Sequence, residues 1–268
     1  MRDNEREFYF AKSISDLLYQ LKSIAGLEVA GGCTRLSPAS KKIISIRKIP
    51  ELAEITKHER YLDAGPAVTL STLLSVAKKR IPLAFLDAVE SVGNPFLKNL
   101  ATLGGSMCAG PIRSTLYAPL IALDTKVEIK SQTTSRFVPL LNFETLPRDF
   151  IISNIRIPLN DWDISIFKRL GPANTLSDKS ASFVFLCNVA KDTITNIKIA
   201  FAGVISFRAS ELENRLLGAH VPFLQKDMDA RLLLAKKQFE KSSEGFSVNE
   251  ILKIQFLNLM QMSFEQLM

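Results

Sequence analysis

Residues 27 to 36 read Leu-Glu-Val-Ala-Gly-Gly-Cys-Thr-Arg-Leu, and this stretch determines how the first part of the chain is interpreted. Its first four residues are typical of a short strand, which runs directly into paired glycines and small polar residues. Glycine permits positive φ and has no Cβ, so consecutive backbone N–H groups in such a turn can approach an anion. The stretch therefore predicts a strand followed by a loop that could hold a phosphate group.

Helix and strand patterns alternate on both sides of this stretch. Apolar residues at positions 17, 18, 21 and 24 recur at helical spacing after Ser13 and Ser15, either of which could cap the helix, and Gly26 ends it. Strand patterns near 43–46 and 61–65 precede two helix patterns, at 70–79 and 83–92. This mixture predicts an α+β fold.

A second pair of glycines follows the turn signal Gly93-Asn94-Pro95, within residues 101–107, which read Ala-Thr-Leu-Gly-Gly-Ser-Met. N–H groups from both loops, with the hydroxyls of Thr34, Thr102 and Ser106, could bind a diphosphate. Alternatively, each glycine pair only makes a tight turn at the end of a strand. The pattern alone leaves both interpretations open.

Several classes of function are disfavoured. The chain has neither a G-x-G-x-x-G motif after a strand nor a G-x-x-x-x-G-K-[ST] phosphate loop, so Rossmann-type binding and nucleotide hydrolysis have no support. Cys33, Cys108 and Cys187 lie far apart without C-x-x-C spacing, which argues against a disulfide framework, a zinc site or an iron–sulfur cluster held by this chain alone. No catalytic Ser-His-Asp or Cys-His arrangement is suggested, and we predict neither a catalytic residue nor a metal ligand.

Composition and charge predict a cytoplasmic protein without a membrane span. The formal net charge is +7, but basic residues are mixed with 27 acidic ones, so nucleic-acid binding is not expected. The longest apolar stretches, such as 181–190, are much shorter than a membrane span requires. The first residues are charged and no apolar segment follows them, so a secretory signal is not expected.

The pattern changes at about Trp162. Strand patterns at 163–168, 181–190 and 196–205 precede helix patterns near 210–217, 224–240 and 248–266. We therefore expect two domains, at residues 1–160 and 161–268, and the second is itself an α+β unit of a sheet with helices.

Several motifs together resemble the FAD-binding middle subunit or domain of the xanthine dehydrogenase and carbon monoxide dehydrogenase family. Residues 30–36 look like the family's A-G-G-T-D-L loop, 64–70 like its G-A-x-V-T-L stretch, and 99–106 like R-N-x-A-T-I-G-G-N. Residues 120–125 resemble L-L-A-L-D-A, and 155–158 match I-R-I-P. The resemblance covers nearly the whole chain. It implies a two-subdomain FAD-binding domain of the vanillyl-alcohol-oxidase or PCMH type, followed by a smaller C-terminal domain of the CO dehydrogenase flavoprotein type.

In that family FAD receives electrons from an iron–sulfur subunit and passes them to NAD or another acceptor, while a molybdopterin subunit oxidises the substrate. The resemblance implies the same role, cofactor and partners here, hence a flavin-dependent oxidoreductase subunit that acts within a complex. The cofactor-binding residues that it implies are Ala30, Gly31, Gly32, Cys33, Thr34, Arg35, Leu36, Thr102, Leu103, Gly104, Gly105 and Ser106.

The chain departs from the family pattern in both loops. The first has an extra residue, so the family's Asp falls near Arg35, and the Asn after the second glycine pair is Ser106. An acidic residue that the family often has nearby is replaced by Arg113-Ser114-Thr115. Arg35 could compensate by facing the diphosphate, or it could be an ordinary solvated arginine. These changes motivate an alternative, a cofactor-free assembly subunit that has kept the flavoprotein fold.

Overall fold

A computed structural model describes residues 6–35, 39–108, 112–172 and 175–268. The chain divides into two compact units. The N-terminal unit contains residues 1–81, 92–110 and 124–159, and the C-terminal unit contains residues 82–91, 111–123 and 160–268. Two segments from before residue 160 therefore belong to the C-terminal unit, and a division into domains at residue 160 remains a prediction.

In chain order the strands and α-helices are β1 (Glu7–Phe10), α1 (Ile14–Ser23), β2 (Leu27–Ala30), β3 (Lys42–Ser45), β4 (Ile55–Lys57), β5 (Tyr61–Ala64), α2 (Leu70–Ala77), α3 (Leu83–Glu90), α4 (Pro95–Leu100), α5 (Leu103–Cys108), α6 (Tyr117–Ala122), β6 (Lys126–Lys130), β7 (Ser135–Pro139), β8 (Ile151–Pro158), β9 (Ile164–Leu170), β10 (Ala181–Ala190), β11 (Thr193–Ala202), β12 (Ser206–Arg208), α7 (Ser210–Leu216), α8 (Met228–Ser243) and α9 (Glu250–Glu265). Short 3₁₀ turns lie at Pro50–Leu52, Leu140–Asn142 and Gln225–Asp227.

The first sheet of the N-terminal unit is parallel, with strand order β1-β3-β2. Ser13 is the N-cap of helix α1, and its hydroxyl oxygen accepts the backbone N–H of Asp16 at 3.2 Å. The helix buries Leu17 and Leu18 in a cluster with Ile44 of β3. The helix and the strand predicted around the first glycine pair are both present.

The second sheet of this unit is antiparallel, with strand order β4-β5-β8-β6-β7. Its central strand, β8, buries Ile155 and Ile157, while Arg156 between them projects to the other face. There Arg156 makes two hydrogen bonds of 2.8 Å to the carboxylate of Asp63 on β5. The alternation of the I-R-I-P stretch thus separates the core face of this sheet from its polar face.

The C-terminal unit contains an antiparallel sheet of order β12-β11-β10-β9, with helices. The first seven residues of β10 are buried, which explains why 181–190 is nearly continuously apolar. Phenylalanines from β10, β11, β12, α8 and α9 form the core, and several of their rings meet edge to face. This sheet with its helices is the α+β arrangement that the sequence predicts for this region.

The α+β class is confirmed, but the sequence pattern did not predict several elements. Strands β1 and β7 are mostly exposed and lack a regular alternation of apolar and polar residues, and β4 and β12 have three residues each. Helix α4 buries none of its residues; it depends locally on Asn94, whose side chain accepts the N–H of Leu97 at 2.9 Å, and on Pro95 in its first turn. No helix within the described residues is long and apolar enough to cross a membrane.

Candidate functional site

The first glycine pair follows β2 and lies directly against the segment that carries the second pair. A Cβ on Gly32 would come within 1.7 Å of the carbonyl oxygen of Leu100, and a Cβ on Gly31 within 2.3 Å of Thr102 Oγ1. Neither glycine has a positive φ; in this loop Cys33 does, at 56°. The expectation that the glycines supply positive φ is therefore wrong. They are required because two backbones approach closely.

Backbone donors in this first loop remain available. None of the N–H groups of Gly31, Gly32, Cys33 and Thr34 donates a hydrogen bond to another described residue. The side chains of Cys33 and Thr34 are exposed, whereas Arg35 is half-buried, and its burial lowers the pKa of the guanidinium. Unused N–H groups beside a partly desolvated cation form an environment that favours an anion. Leu36, also predicted here, lies outside the described residues.

The second glycine pair lies inside a helix, although the sequence predicted a loop there. Helix α5 begins at Leu103, whose N–H donates to the carbonyl oxygen of Val68 at 2.9 Å. The N–H of Gly104 donates to Pro66 O at 3.0 Å, and that of Gly105 to Thr102 Oγ1 at 3.2 Å. These N–H groups already have acceptors within the protein, so the expectation that this segment offers its N–H groups to a diphosphate is wrong for Gly104 and Gly105.

Thr102 of the second glycine segment lies directly against Gly31 of the first. It is 2% exposed and forms an isolated β-bridge with Thr69, the residue before α2. Its Oγ1 accepts the Gly105 N–H beside the space next to Gly31, which leaves the hydroxyl proton able to donate. Ser106 is oriented differently, because its hydroxyl donates to the backbone oxygen of Thr102 at 3.0 Å. Of the two hydroxyls, Thr102 is the better candidate donor to a ligand.

The two glycine segments border one cavity of about 450 Å³ within the N-terminal unit. Gly31, Gly104 and Gly105 contribute to its wall, and Leu17 and Leu21 of α1 form an apolar part of the lining. Residues 143–152 also line the cavity. Its volume falls within the range of small-molecule sites. Ala30 and Leu103, also predicted to lie beside the cofactor, are buried at the end of β2 and the start of α5.

Residues 143–152 and the carbonyl groups of Pro66 and Val68 belong to this site but were not predicted from the sequence. Residues 143–149 have no periodic pattern that would predict a role in a site, and only the strand that follows was recognised. The turn at 65–68 lies within the family-like stretch 64–70, which marked it as a candidate part of the site. The contact of this turn with α5 could not be predicted, because it depends on the fold. This turn positions the second glycine segment by accepting two of its N–H groups.

Comparison with known proteins identifies the class to which the fold and this arrangement belong. The family described as FAD binding domain in molybdopterin dehydrogenase matches residues 4–160, more than half of the chain. The chain belongs to this family, and its cofactor is FAD.

Relatives agree with this assignment over part of their length. The xanthine dehydrogenase FAD-binding subunit of Escherichia coli O157:H7 is 34% identical over 110 residues, covering 40% of this chain and 37% of that protein. The glyceraldehyde dehydrogenase medium chain of Sulfolobus acidocaldarius is 25% identical over 187 residues, covering 66% of each. The chain thus spans from 37% to 66% of the length of these two relatives.

Solved structures confirm the fold over the whole chain. A chain of the CO dehydrogenase from Oligotropha carboxidovorans superimposes with a TM-score of 0.83 at 17% identity, covering 100% of this chain and 99% of that one. A chain of the carbon monoxide dehydrogenase from Hydrogenophaga pseudoflava gives a TM-score of 0.81 at 19% identity, with coverage of 100% and 97%. At this level of identity the similarity concerns the fold alone.

The residues present suit FAD. A diphosphate is a double anion, and the first loop offers N–H groups that no described residue uses, with Arg35 following them. The cavity beside the loop is lined by apolar side chains of α1 and by residues 143–152, in which apolar and charged side chains are mixed. Small-molecule sites commonly combine an apolar lining with a few polar groups. The first glycine segment suits a diphosphate better than the second, because most backbone N–H groups of the second already donate to acceptors within the protein.

Proposed function

We propose that this chain is the FAD-binding electron-transfer subunit of a molybdenum-dependent hydroxylase or dehydrogenase complex. In this proposal a partner subunit carries iron–sulfur clusters that deliver electrons, another carries molybdopterin and oxidises the substrate, and NAD or another acceptor takes the electrons. FAD, when bound, supplies the redox chemistry. The observation that supports the proposal best is that both glycine segments border one cavity beside unused backbone donors.

The chain's own residues bind and orient the cofactor in this proposal. The N–H groups of Gly31, Gly32, Cys33 and Thr34 donate to the diphosphate, and Arg35 neutralises part of its charge. Thr102, which lies against Gly31, contributes its hydroxyl proton. The cavity lined by residues 143–152 accommodates the adenosine end next to the diphosphate.

Arg35 provides a direct test of this arrangement. We expect Arg35→Gln to weaken FAD binding by about tenfold or more, because a charge-assisted hydrogen bond contributes more than a neutral one. The affinity for FAD is measured by quenching of flavin fluorescence. Arg35→Lys should retain part of this affinity, because it keeps the positive charge. Equal affinities for the wild type and Arg35→Gln would mean that Arg35 does not contribute to binding of the diphosphate.

An absorption spectrum of the purified chain tests the cofactor claim first. Bands near ~370 and ~450 nm, or saturable quenching when FAD is added, are expected for a flavoprotein. A flat spectrum without quenching would instead support the cofactor-free assembly subunit.

The electron acceptor needs a separate measurement. The complete complex is mixed anaerobically with NADH, and the ~450 nm band is followed, because a reduced flavin loses this absorption. Bleaching supports NAD as the acceptor, since electron transfer between flavin and nicotinamide is reversible. A complex that bleaches with its organic substrate but not with NADH uses another acceptor.

A further inference from the structure

An apolar surface lies on helices α2 and α4, which pack against each other in the N-terminal unit. Phe96 is 81% exposed, the highest exposure among the exposed large apolar side chains that are described. Leu97, Leu100 and Val76 are also exposed, at 36%, 44% and 41%. Helix α4 buries none of its residues, so its apolar side chains contribute nothing to the core of this unit. Grouped exposure of this kind is typical of an interaction site.

The charged residues within the stretches of chain that carry α2 and α4 are all basic. Residues 64–81 and 92–110, the two segments of the N-terminal unit that carry α2 and α4, contain no Asp or Glu. They do contain Lys78, Lys79 and Arg80 directly after α2, all of them exposed, and Lys98 on α4. We call Val76, Phe96, Leu97 and Leu100, with Lys79 and Arg80, the α2–α4 surface. An apolar centre with a basic border suits a protein partner whose border is acidic.

The α2–α4 surface adjoins the proposed cofactor loop. The carbonyl oxygen of Leu100, the last residue of α4, lies so close to Gly32 that a Cβ there would be 1.7 Å away. A partner on this surface would therefore be near the loop that we propose binds the diphosphate of FAD. An electron donor must approach the flavin, so this position favours a redox partner over one that only assembles the complex.

We propose that the α2–α4 surface docks the acidic face of the iron–sulfur subunit, an inference that rests on the proposed electron-transfer function. A second copy of this chain fits less well, because both surfaces would carry the same positive charge. An anionic membrane is also less suitable, because α4 has only six residues and presents no long amphipathic face.

The test starts from the complex as the cell makes it. The tagged chain is purified from its native source, and an iron–sulfur subunit, identified by cluster absorbance and mass spectrometry, is expected to copurify. That subunit is then isolated, and its Kd is measured for the wild-type chain, for Phe96→Asp and for the double variant Lys79→Glu/Arg80→Glu. We expect each variant to raise the Kd by about tenfold or more. Phe96→Asp places a charge at the apolar centre of the interface, and Lys79→Glu/Arg80→Glu reverses the charge of its border.

Matched control variants come from the C-terminal unit. Phe246, which is 59% exposed, is changed to Asp, and the exposed neighbours Lys236 and Lys237 are both changed to Glu. These controls should bind the iron–sulfur subunit as the wild type does. FAD titration of each isolated variant should be unchanged. That measurement separates failure of the docking proposal from failure of the flavin proposal.

Three outcomes would overturn the docking proposal. The first is that no iron–sulfur subunit copurifies, and the second is that the α2–α4 variants bind it as tightly as the controls do. The third is that the variants instead lose self-association in sedimentation, or lose binding to phosphatidylserine vesicles, while the Kd for the iron–sulfur subunit stays the same. Protection of residues 70–80 and 95–101 from hydrogen exchange in the complex would support the proposal.

Discussion

Gly32 and Gly105 both belong to family-like glycine pairs, but their surroundings differ. A Cβ on Gly32 would overlap the backbone oxygen of Leu100, which cannot move without shifting α4. A Cβ on Gly105 would come no closer than 3.1 Å to Thr102 Oγ1, and Gly105 is exposed at the cavity wall. The first glycine is therefore a requirement of the fold, whereas the second can carry a side chain more easily.

We predict opposite outcomes for substitutions at these two positions. Gly32→Ala should destabilise the N-terminal unit by about 1–3 kcal/mol or more, because it forces backbone segments apart. Gly105→Val should keep the fold, apart from a modest loss for a β-branched residue in α5, and should abolish FAD retention because its side chain enters the cavity. Thermal unfolding and FAD titration measure the two effects separately. Gly105→Val with wild-type FAD affinity would refute the placement of the cofactor.

The three cysteines should differ in how fast they react with a thiol reagent. Burial, with a smaller effect of the Asp163 charge, raises the pKa of Cys187 to about 12, so its thiol stays protonated at neutral pH. Cys33 and Cys108 are exposed. We expect a thiol reagent at pH 8 to label these two quickly, and Cys187 only after denaturation. Rapid labelling of Cys187 in the native chain, detected by mass spectrometry, would contradict its burial in the sheet.

At the scale of elements, helix α7 is joined to the C-terminal sheet by a buried ion pair. Arg208 of β12 donates two hydrogen bonds to Glu213 of α7, at 3.1 and 2.6 Å. The same carboxylate accepts the backbone N–H of Ile199 on β11 at 2.8 Å. Side-chain exposures of 11% for Arg208 and 7% for Glu213 show that solvent screens this pair little.

Removal of one partner of this ion pair should therefore lower the free energy of unfolding substantially. We predict that Glu213→Ala destabilises the C-terminal unit by about 3–5 kcal/mol, because it leaves the Arg208 charge buried and the Ile199 N–H without its acceptor. Chemical denaturation followed by the fluorescence of Trp162, the single tryptophan, measures this loss. The control is Glu211→Ala, which removes an exposed pair with Lys241. Similar losses of stability for Glu213→Ala and Glu211→Ala would mean that the buried pair contributes no more to stability than the exposed pair does.

Elements differ in how well the sequence predicted them. Helix α1 and strands β10 and β11 were predicted close to their observed bounds, because their apolar periodicity matches burial on one or both faces. Strand β2 was also predicted at its observed bounds, although only Ala30 in it is buried. Helix α4 was predicted only as a turn, because it has no buried face and therefore no periodic signal. Helix α5 was predicted as a loop, because paired glycines disfavour helix and because its hydrogen bonds to Pro66 and Val68 come from a segment distant in sequence.

At the scale of the whole molecule, FAD should stabilise the chain through the N-terminal unit. A ligand present at 100 times its Kd, and bound only by the folded state, adds about 2.7 kcal/mol to stability. We therefore expect Tm to rise with FAD concentration, and residues 27–35 and 102–108 to gain protection from hydrogen exchange. Gly105→Val is the control and should show neither effect. A wild-type Tm that is insensitive to FAD would contradict the flavin site.

The sequence by itself determined the α+β class, most regular elements and, through the order of its motifs, the family. These properties depend on local periodicity and on short motifs, which are visible without coordinates. The tertiary structure decided which atoms of the glycine segments remain available to a ligand. Gly32 meets Leu100, Gly104 donates to Pro66, and residues 143–152 complete the cavity, all through contacts between residues distant in sequence. Local pattern carries no information about such contacts, because they arise only when packing brings the separate segments together.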